Sequence, residues 1–577
     1  MMLLEKKEGK LGYCNAAHLV RRATFYVTQE RIKEFAEYTP EEAVEKLFDF
    51  DFLTKPEYVY PLSDEGEQII TFSKEQEAKD LVFEGTNKVR SWWLYSAAKA
   101  PGIEYKLTLW LHLLFVTGIE TRRYWDSYDY LELLRFHTKG SLRKLAIRMT
   151  KNLRMLNYLD NSLNEVKKRN NNYAREFLEL FTILKGEQQG EGDYTTYTEN
   201  DVEEAGRVFT GFTAGYSYTL EERFWDSKQN EERKVFIDTE TGIFQGYIDK
   251  RKHDTGDKKF KIGGEESIIR GGIDEESIQK ELEDFVQIVF DRDETAQNYC
   301  RRLYRFFVGR NITEEIETHI IKPLASELKE QDYKIEPIVK KLLKSKHFYS
   351  NQIIGGLVKS PLDLQMHLLS LFKPDILNLN YIEVKDKGGD EAERLKEQVK
   401  TINYFFHKHV YTVAAISSFP IFSPVNVNGY SPYTDGPMYD KKWITTGTLQ
   451  IRYQLADKVV KGYYNPEKGI DGEFSTDMLE FIRTNPGIFN TPSDYRQLLE
   501  DFYALLFVSR PEENKHKVYL DMFKDFDWKR KWEQFVLFSQ QPEEQWTNQM
   551  KNIMIDLKRQ VDRIVKMLLK SSEFQVM

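Results

Sequence analysis

The stretch RNNNYAREFLELFT, residues 169–182, places its apolar and polar residues at helical spacing. At roughly 100° per residue, Ala174, Phe177, Leu178 and Phe181 share one side. Asn172, Glu176 and Glu179 fall within roughly 60° of one another on the other side. The segment reads as a helix that packs by its apolar face and presents an amide and two carboxylates opposite. Arg175 stands four residues before Glu179, the spacing of an intrahelical ion pair. The polar stripe has two readings, a solvated face or one wall of a site. Ile183 prolongs the stripe as an apolar residue, which suits a covered wall. Upstream, LDNSLNEVKKRNNN (159–172) adds Asn161 and Asn164 to Asn172. Asparagine in such numbers suits caps, tight turns and buried hydrogen-bond networks.

Helix signals dominate outward from this point. Thr39, Pro40 and Glu42 spell a capping box with proline at the first helical position. In residues 294–310, Ala296, Cys300, Leu303, Tyr304 and Phe307 line one helical face that ends at Gly309. Residues 492–511 repeat the pattern with Tyr495, Leu498, Leu499, Phe502 and Leu506 between Pro492 and Pro511. Strand signals are few, and residues 215–225 and 233–247 suit a small hairpin sheet. Residues 185–196 are a Gly-rich acidic loop, and 422–442 hold enough Pro, Gly and Asn to require irregular backbone. The fold expected is mainly α, a large multi-helix globular domain over about 10–455. It carries a small β-hairpin insertion near 212–270 and a charged insertion near 384–399. A helical C-terminal extension over 456–577 is expected to pack on it.

The chain has 577 residues and a net charge of −9, from 83 basic and 92 acidic side chains. No basic patch dominates, so nucleic acid is not expected as a partner. Two cysteines, Cys14 and Cys300, offer neither a disulfide framework nor zinc spacing. The opening MMLLEKKEGKLGY lacks the long apolar run of a secretory signal, and no apolar window suits a membrane span. The expected address is cytoplasmic, with export in company with a partner left open.

Three other stretches carry chemistry. RKHDTGDKKFKIGG (251–264) sets His253 beside Asp254, followed by Gly256 and Lys258. A His-Asp pair binds metal or moves protons, a glycine admits close approach, and a lysine meets an anion. A charged loop tip is the plainer reading. YKLTLWLHLLFVTG (105–118) is an apolar helix with His112 in its middle, a core histidine or a ligand. AAHLVRRATF (16–25) offers His18, Arg21 and Arg22. Neither a phosphate-binding Gly-rich loop, a Gly-x-Ser-x-Gly elbow nor His-Glu-x-x-His is present.

Taken in order, these blocks resemble an uncharacterised bacterial family, DUF1800, from about residue 10 to residue 455. AAHLVRRATF is similar to its His-Leu-x-x-Arg-x-x-Phe opening, and YKLTLWLHLLF to its Trp-His-x-His helix. LDNSLN with NNNYAREFLELFTI is similar to its most recognisable block. YTENDVEEAGRVFTGF, HDTGDKKF, KSPLDL and FSPVNVNGY with KKWITTGTLQIRY fit as well. Leu114 stands where the family has a second histidine and Asn171 where it has a glutamate; Phe212 and Tyr430 replace tryptophans. The resemblance implies that His112, Asn172, Glu176, Glu179, His253 and Asp254 converge. It also implies a neighbour resembling sulfatases and phosphatases as a partner.

Two functions are expected. The first is an enzyme, a metal-assisted or acid/base hydrolase or transferase acting on a polymer or an anionic substrate. Glu176, Glu179, His253 and Asp254 would be its catalytic groups. His112, Glu176 and His253 would hold a divalent metal such as zinc, manganese or iron. His18, Arg21, Arg22, Asn161, Asn164, Asn172 and Lys258 would bind substrate. The alternative is a non-catalytic scaffold, in which the same residues form a buried network that fixes the fold.

Overall fold

Thr39 and Glu42 form the expected capping box: the Glu42 carboxylate accepts from the Thr39 N–H at 2.9 Å, and Thr39 Oγ1 accepts from the Glu42 N–H at 3.3 Å. The Pro40–Leu47 helix starts there. The same agreement of sequence and structure holds at Asp293–Phe307, which buries Ala296, Cys300, Leu303, Tyr304 and Phe307. Tyr495–Leu506 buries Leu498, Leu499, Phe502 and Leu506. The computed structural model describes residues 2–50, 61–67, 81–119, 124–214, 236–384, 387–424, 427, 429–430, 439–465 and 470–577.

The fold is mainly α. Among the described residues the β structure is four two-stranded antiparallel ladders. Three of them fall in the expected insertion: Phe212–Thr213 with Tyr247–Ile248, Phe236–Ile237 with Phe244–Gln245, and Lys258–Phe260 with Ser267–Ile269. The hairpin half expected at 215–225 lies outside the described residues. The charged stretch at 384–399 is largely helix, since Gly389–Phe405 begins at its second glycine and packs on Leu81–Lys99.

One hydrophobic core runs from Leu11 to Phe574 and includes Leu498, Phe502, Val561 and Leu568 of the C-terminal stretch. The Thr446–Lys461 helix passes through the division expected near 456, and its Arg452 Nε donates to Gln575 Oε1 at 2.7 Å. Among the described residues, no helix is long and apolar enough to cross a membrane.

The segment 169–182 is seated by packing in series. Asn172–Glu176 is α-helical and continues as a π-helical turn, Phe177–Phe181. It lies against the Glu199–Val208 helix, which packs in turn on strand Lys258–Phe260 and on the Glu275–Phe290 helix. Tyr173, Ala174, Phe177, Leu178 and Phe181 are buried, as the periodicity requires, and so is Ile183.

Candidate functional site

A π turn widens the helix by one residue and frees the carbonyls at its end. Three side chains of the Asp293–Phe307 helix take those carbonyls. Arg302 Nη2 donates to Leu180 O at 2.8 Å, Tyr299 Oη to Phe181 O at 2.9 Å, and Asn298 Nδ2 to Thr182 O at 2.6 Å. Thr182 Oγ1 closes back on Phe177 O at 2.6 Å. Leu184, at φ +66°, then turns the chain sharply. The stretch bearing Glu176 and Glu179 is therefore clamped on its apolar side and open on its polar side.

The two carboxylates are treated differently by their surroundings. Lys185 Nζ lies 2.5 Å from Glu179 Oε1, an ion pair at the edge of the turn. Glu176 is half-buried and has no hydrogen bond or ion pair among the described residues. Burial first, and the charge of Glu179 second, push its carboxyl up to about 7. The intrahelical pair expected between Arg175 and Glu179 does not form. Arg175 reaches across to Glu199 instead, at 3.0 and 2.5 Å, because a two-point contact with the neighbouring helix outweighs a single contact along its own. Among the described residues the buried Tyr197 hydroxyl has no partner, and its phenol is pushed up by burial and then by Glu179. Tyr158 also feels the Glu176 charge. Asn172 is exposed and serves the start of its helix, where its N–H donates to Asn170 Oδ1 at 2.9 Å.

His253 and Asp254 form a separate, enclosed centre around Arg207, in the last turn of the Glu199–Val208 helix. His253 Nδ1 faces Thr210 O at 2.8 Å, and Nε2 faces Glu281 Oε2 at 3.1 Å. Lys258 Nζ lies 2.6 Å from Glu281 Oε1 with both side chains fully buried, and it also donates to Asp254 O. The Gly272 N–H donates to Glu281 Oε2 at 2.7 Å. Asp254 takes a two-point contact from Arg207, 3.0 Å at each oxygen, and a third bond from Arg169 at 2.8 Å. Burial raises the Asp254 carboxyl, but Arg207 and the Gly256 N–H outweigh it and hold it down at about 2. Gly256 does admit a close approach, but of Arg207: an added Cβ would sit 2.6 Å from its Nη2. This centre braces the helix that supports the carboxylate pair. Asn161 and Asn164 lie at its edge, buried, with Asn164 Nδ2 donating to Gly206 O at 2.9 Å.

His112 lies apart from both groups. Its Nδ1 donates to Tyr130 Oη at 2.8 Å, since that hydroxyl gives its own proton to Phe115 O at 2.7 Å. Nε2 faces Tyr430 Oη at 3.4 Å. Burial alone pushes the imidazole down to about 3. His18, Arg21 and Arg22 are fully interior, and each bonds to backbone carbonyls: His18 to Phe348, Arg21 to Leu505 and Phe507, Arg22 through its terminal nitrogens to Phe307, Val308 and Ile353. The expected metal trio of His112, Glu176 and His253 is not brought together. Among the described residues, no three His, Cys, Asp or Glu side chains converge as a ligand set.

Several groups went unread in the sequence. Glu281 had a signal, because it stands alone among apolar residues on the buried face of Ile278, Leu282 and Phe285. Arg207, Lys185 and Tyr130 had none, since Asp254, Glu179 and His112 lie on other elements, and nothing in its surroundings in sequence singles out Tyr197. Where the family has glutamate, Asn171 abuts Gly206, at which an added Cβ would sit 2.0 Å from Asn171 Oδ1. Leu114, in place of histidine, is packed in the core.

A family model described as "Protein of unknown function (DUF1800)" matches residues 18–576, nearly the whole chain. The protein belongs to that family, and the match continues well past residue 455, through the C-terminal helices. No curated protein and no solved structure matches the chain at a significant level.

Proposed function

We propose that the protein is an acid/base hydrolase or transferase whose reacting groups are Glu176 and Glu179, acting on a polar polymer. One observation carries this reading. Two carboxylates share an open helix face, one ion-paired and the other half-buried, unpaired and protonated up to about pH 7. A carboxylic acid that keeps its proton near neutrality donates it to a leaving group, while an adjacent carboxylate steadies positive charge or activates water. Among the described residues the Tyr197 hydroxyl is a further donor without a partner. With Glu176 protonated and Glu179 ion-paired to Lys185, the face carries little net charge and suits an uncharged chain laid across the surface. The enclosed His253 centre then acts as a positioning element, through Arg207 and the Glu199–Val208 helix.

The test is a panel of glycans, polyesters and small chromogenic esters and glycosides, assayed with wild type, Glu176→Gln and Glu179→Gln. The expected result is turnover that declines as pH rises through 7 and that Glu176→Gln lowers about 100-fold or more. Turnover unaffected by both substitutions, or none from wild type on any substrate class, would overturn the reading.

A scaffold role, beside a sulfatase- or phosphatase-like partner, draws on a different observation. His18, Arg21, Arg22, His253, Asp254 and Lys258 are all buried, and each bonds to groups inside the fold. On that reading Glu176→Gln alters no reaction.

A further inference from the structure

The junction of the Gly12–Ala23, Glu104–Leu114, Pro361–Phe372 and Thr446–Lys461 helices buries five basic side chains: Arg21, Arg22, Lys106, Lys359 and Arg452. Asp363 is the carboxylate facing Arg22, Lys106, Lys359 and Arg452 among the described residues. It is ion-paired with Lys106 and also caps its own helix through Ser360. Arg21 and Arg22 have hydrogen-bond acceptors, but these are backbone carbonyls, which satisfy donors without cancelling charge. Lys359, 1% exposed, has the Phe574 ring 3.8 Å from its Nζ and, among the described residues, no carboxylate at ion-pair distance. A buried charge without a counter-charge is strongly unfavourable.

Unfilled hydrogen-bond capacity gathers at the same place. His367 is fully buried beside Lys359 and Lys106, and neither ring nitrogen has a well-formed hydrogen bond, the Thr24 backbone being a poorly aligned neighbour. Arg452 Nη1 and Arg22 Nε also lack acceptors among the described residues. A pocket of about 660 Å³ adjoins the cluster. Its walls include Val308 and Ile353, whose carbonyls take Arg22, and Val358, which precedes Lys359.

We propose that this junction is a binding site for a small inorganic anion, of the halide or phosphate kind, held by Lys359, Arg452 and His367 as the counter-charge to the buried cations. The site lies on other elements than the carboxylate pair and does not depend on the reading of that pair. Burial, with Arg21 and Arg452 beside it, holds the Lys359 amine well below its usual range, so a bound anion would favour its charged form.

The full chain, exchanged into gluconate buffer, is melted while chloride or phosphate replaces gluconate at constant ionic strength. The expected result is a saturable rise in Tm with one of the two, reaching roughly 2 °C at a hundredfold excess over half-saturation. Lys359→Met or Arg452→Gln should abolish it. Equal Tm in all three anions, a rise that never saturates, or an undiminished response in either folded variant would overturn the proposal. Should neither variant fold, bromide-soaked crystals decide: an anomalous peak beside Lys359 and His367 supports the site, and its absence rejects it.

Discussion

Replacing Glu281 by Gln removes one negative charge from a fully enclosed centre and changes little else. The amide keeps the volume and still accepts from the Gly272 N–H, now 2.7 Å from Glu281 Oε2. Lys258, with no exposed side-chain surface, loses the carboxylate at 2.6 Å and keeps only the Asp254 carbonyl and the distant His253 Nε2 at 3.5 Å. Stranding one member of a buried ion pair costs about 3–5 kcal/mol. With an unfolding entropy of roughly 1.2 kcal/mol/K for a chain this long, that is about 3–4 °C in Tm. Burial already lowers the Lys258 amine, so the stranded lysine can escape by shedding its proton. The deficit should therefore be larger at pH 6 than at pH 9. Thermal melts across that range, with Glu281→Leu/Lys258→Met as the control, check the prediction. The double variant should recover most of the loss, because it removes both charges together. A Gln variant within about 0.5 kcal/mol of wild type, or a double variant no better than the single, would refute the centre as a charge-balanced brace.

Glu176→Gln should act in the opposite direction. The raised carboxyl disfavours the folded state once ionised, so wild-type stability falls as pH climbs from the unfolded carboxyl range through 7 and then levels off. The Gln variant lacks that penalty and should melt about 1–2 °C above wild type at pH 8, equivalent to about 1–2 kcal/mol after solvent screening, and level with it near pH 4. Asp254 has the reverse sign: its carboxyl is held down at about 2, so its contribution is complete above the unfolded carboxyl range and fades as pH drops toward 2. Asp254→Asn should flatten that part of an acid-unfolding curve. His112, pushed down to about 3, favours the folded state only while neutral. Its contribution is present above the unfolded imidazole value and lost as pH falls toward 3, by roughly 4 kcal/mol at most. His112→Gln should make stability less dependent on pH between 6 and 4 in denaturant titrations.

The fold was legible where one periodicity persisted. Residues 293–307 and 495–506 keep a 3.6-residue stripe over several turns, and Thr39 announces its helix by local capping chemistry alone. The π turn at Phe177–Phe181 was not legible, since one inserted residue in five barely disturbs the apolar pattern. The carboxylate face at Glu176 and Glu179 was readable from spacing, but the state of each group was not. Burial, which raises Glu176, and Lys185, which pairs with Glu179, are set by how the chain folds back on itself. The adjacent His253 and Asp254 looked like a reacting pair. Their partners Glu281 and Arg207, 28 and 47 residues from their respective acceptor or donor, enclose them as a brace.

The proposed acid/base function depends on a proton held by Glu176. Carbon-13 labelling of glutamate carboxyls, with Glu176→Gln to assign the resonance, measures its titration in the intact protein. The account predicts a midpoint near 7 that moves down when Glu179 is replaced by Gln. A midpoint in the ordinary carboxylate range of about 4–5, indifferent to residue 179, would contradict it.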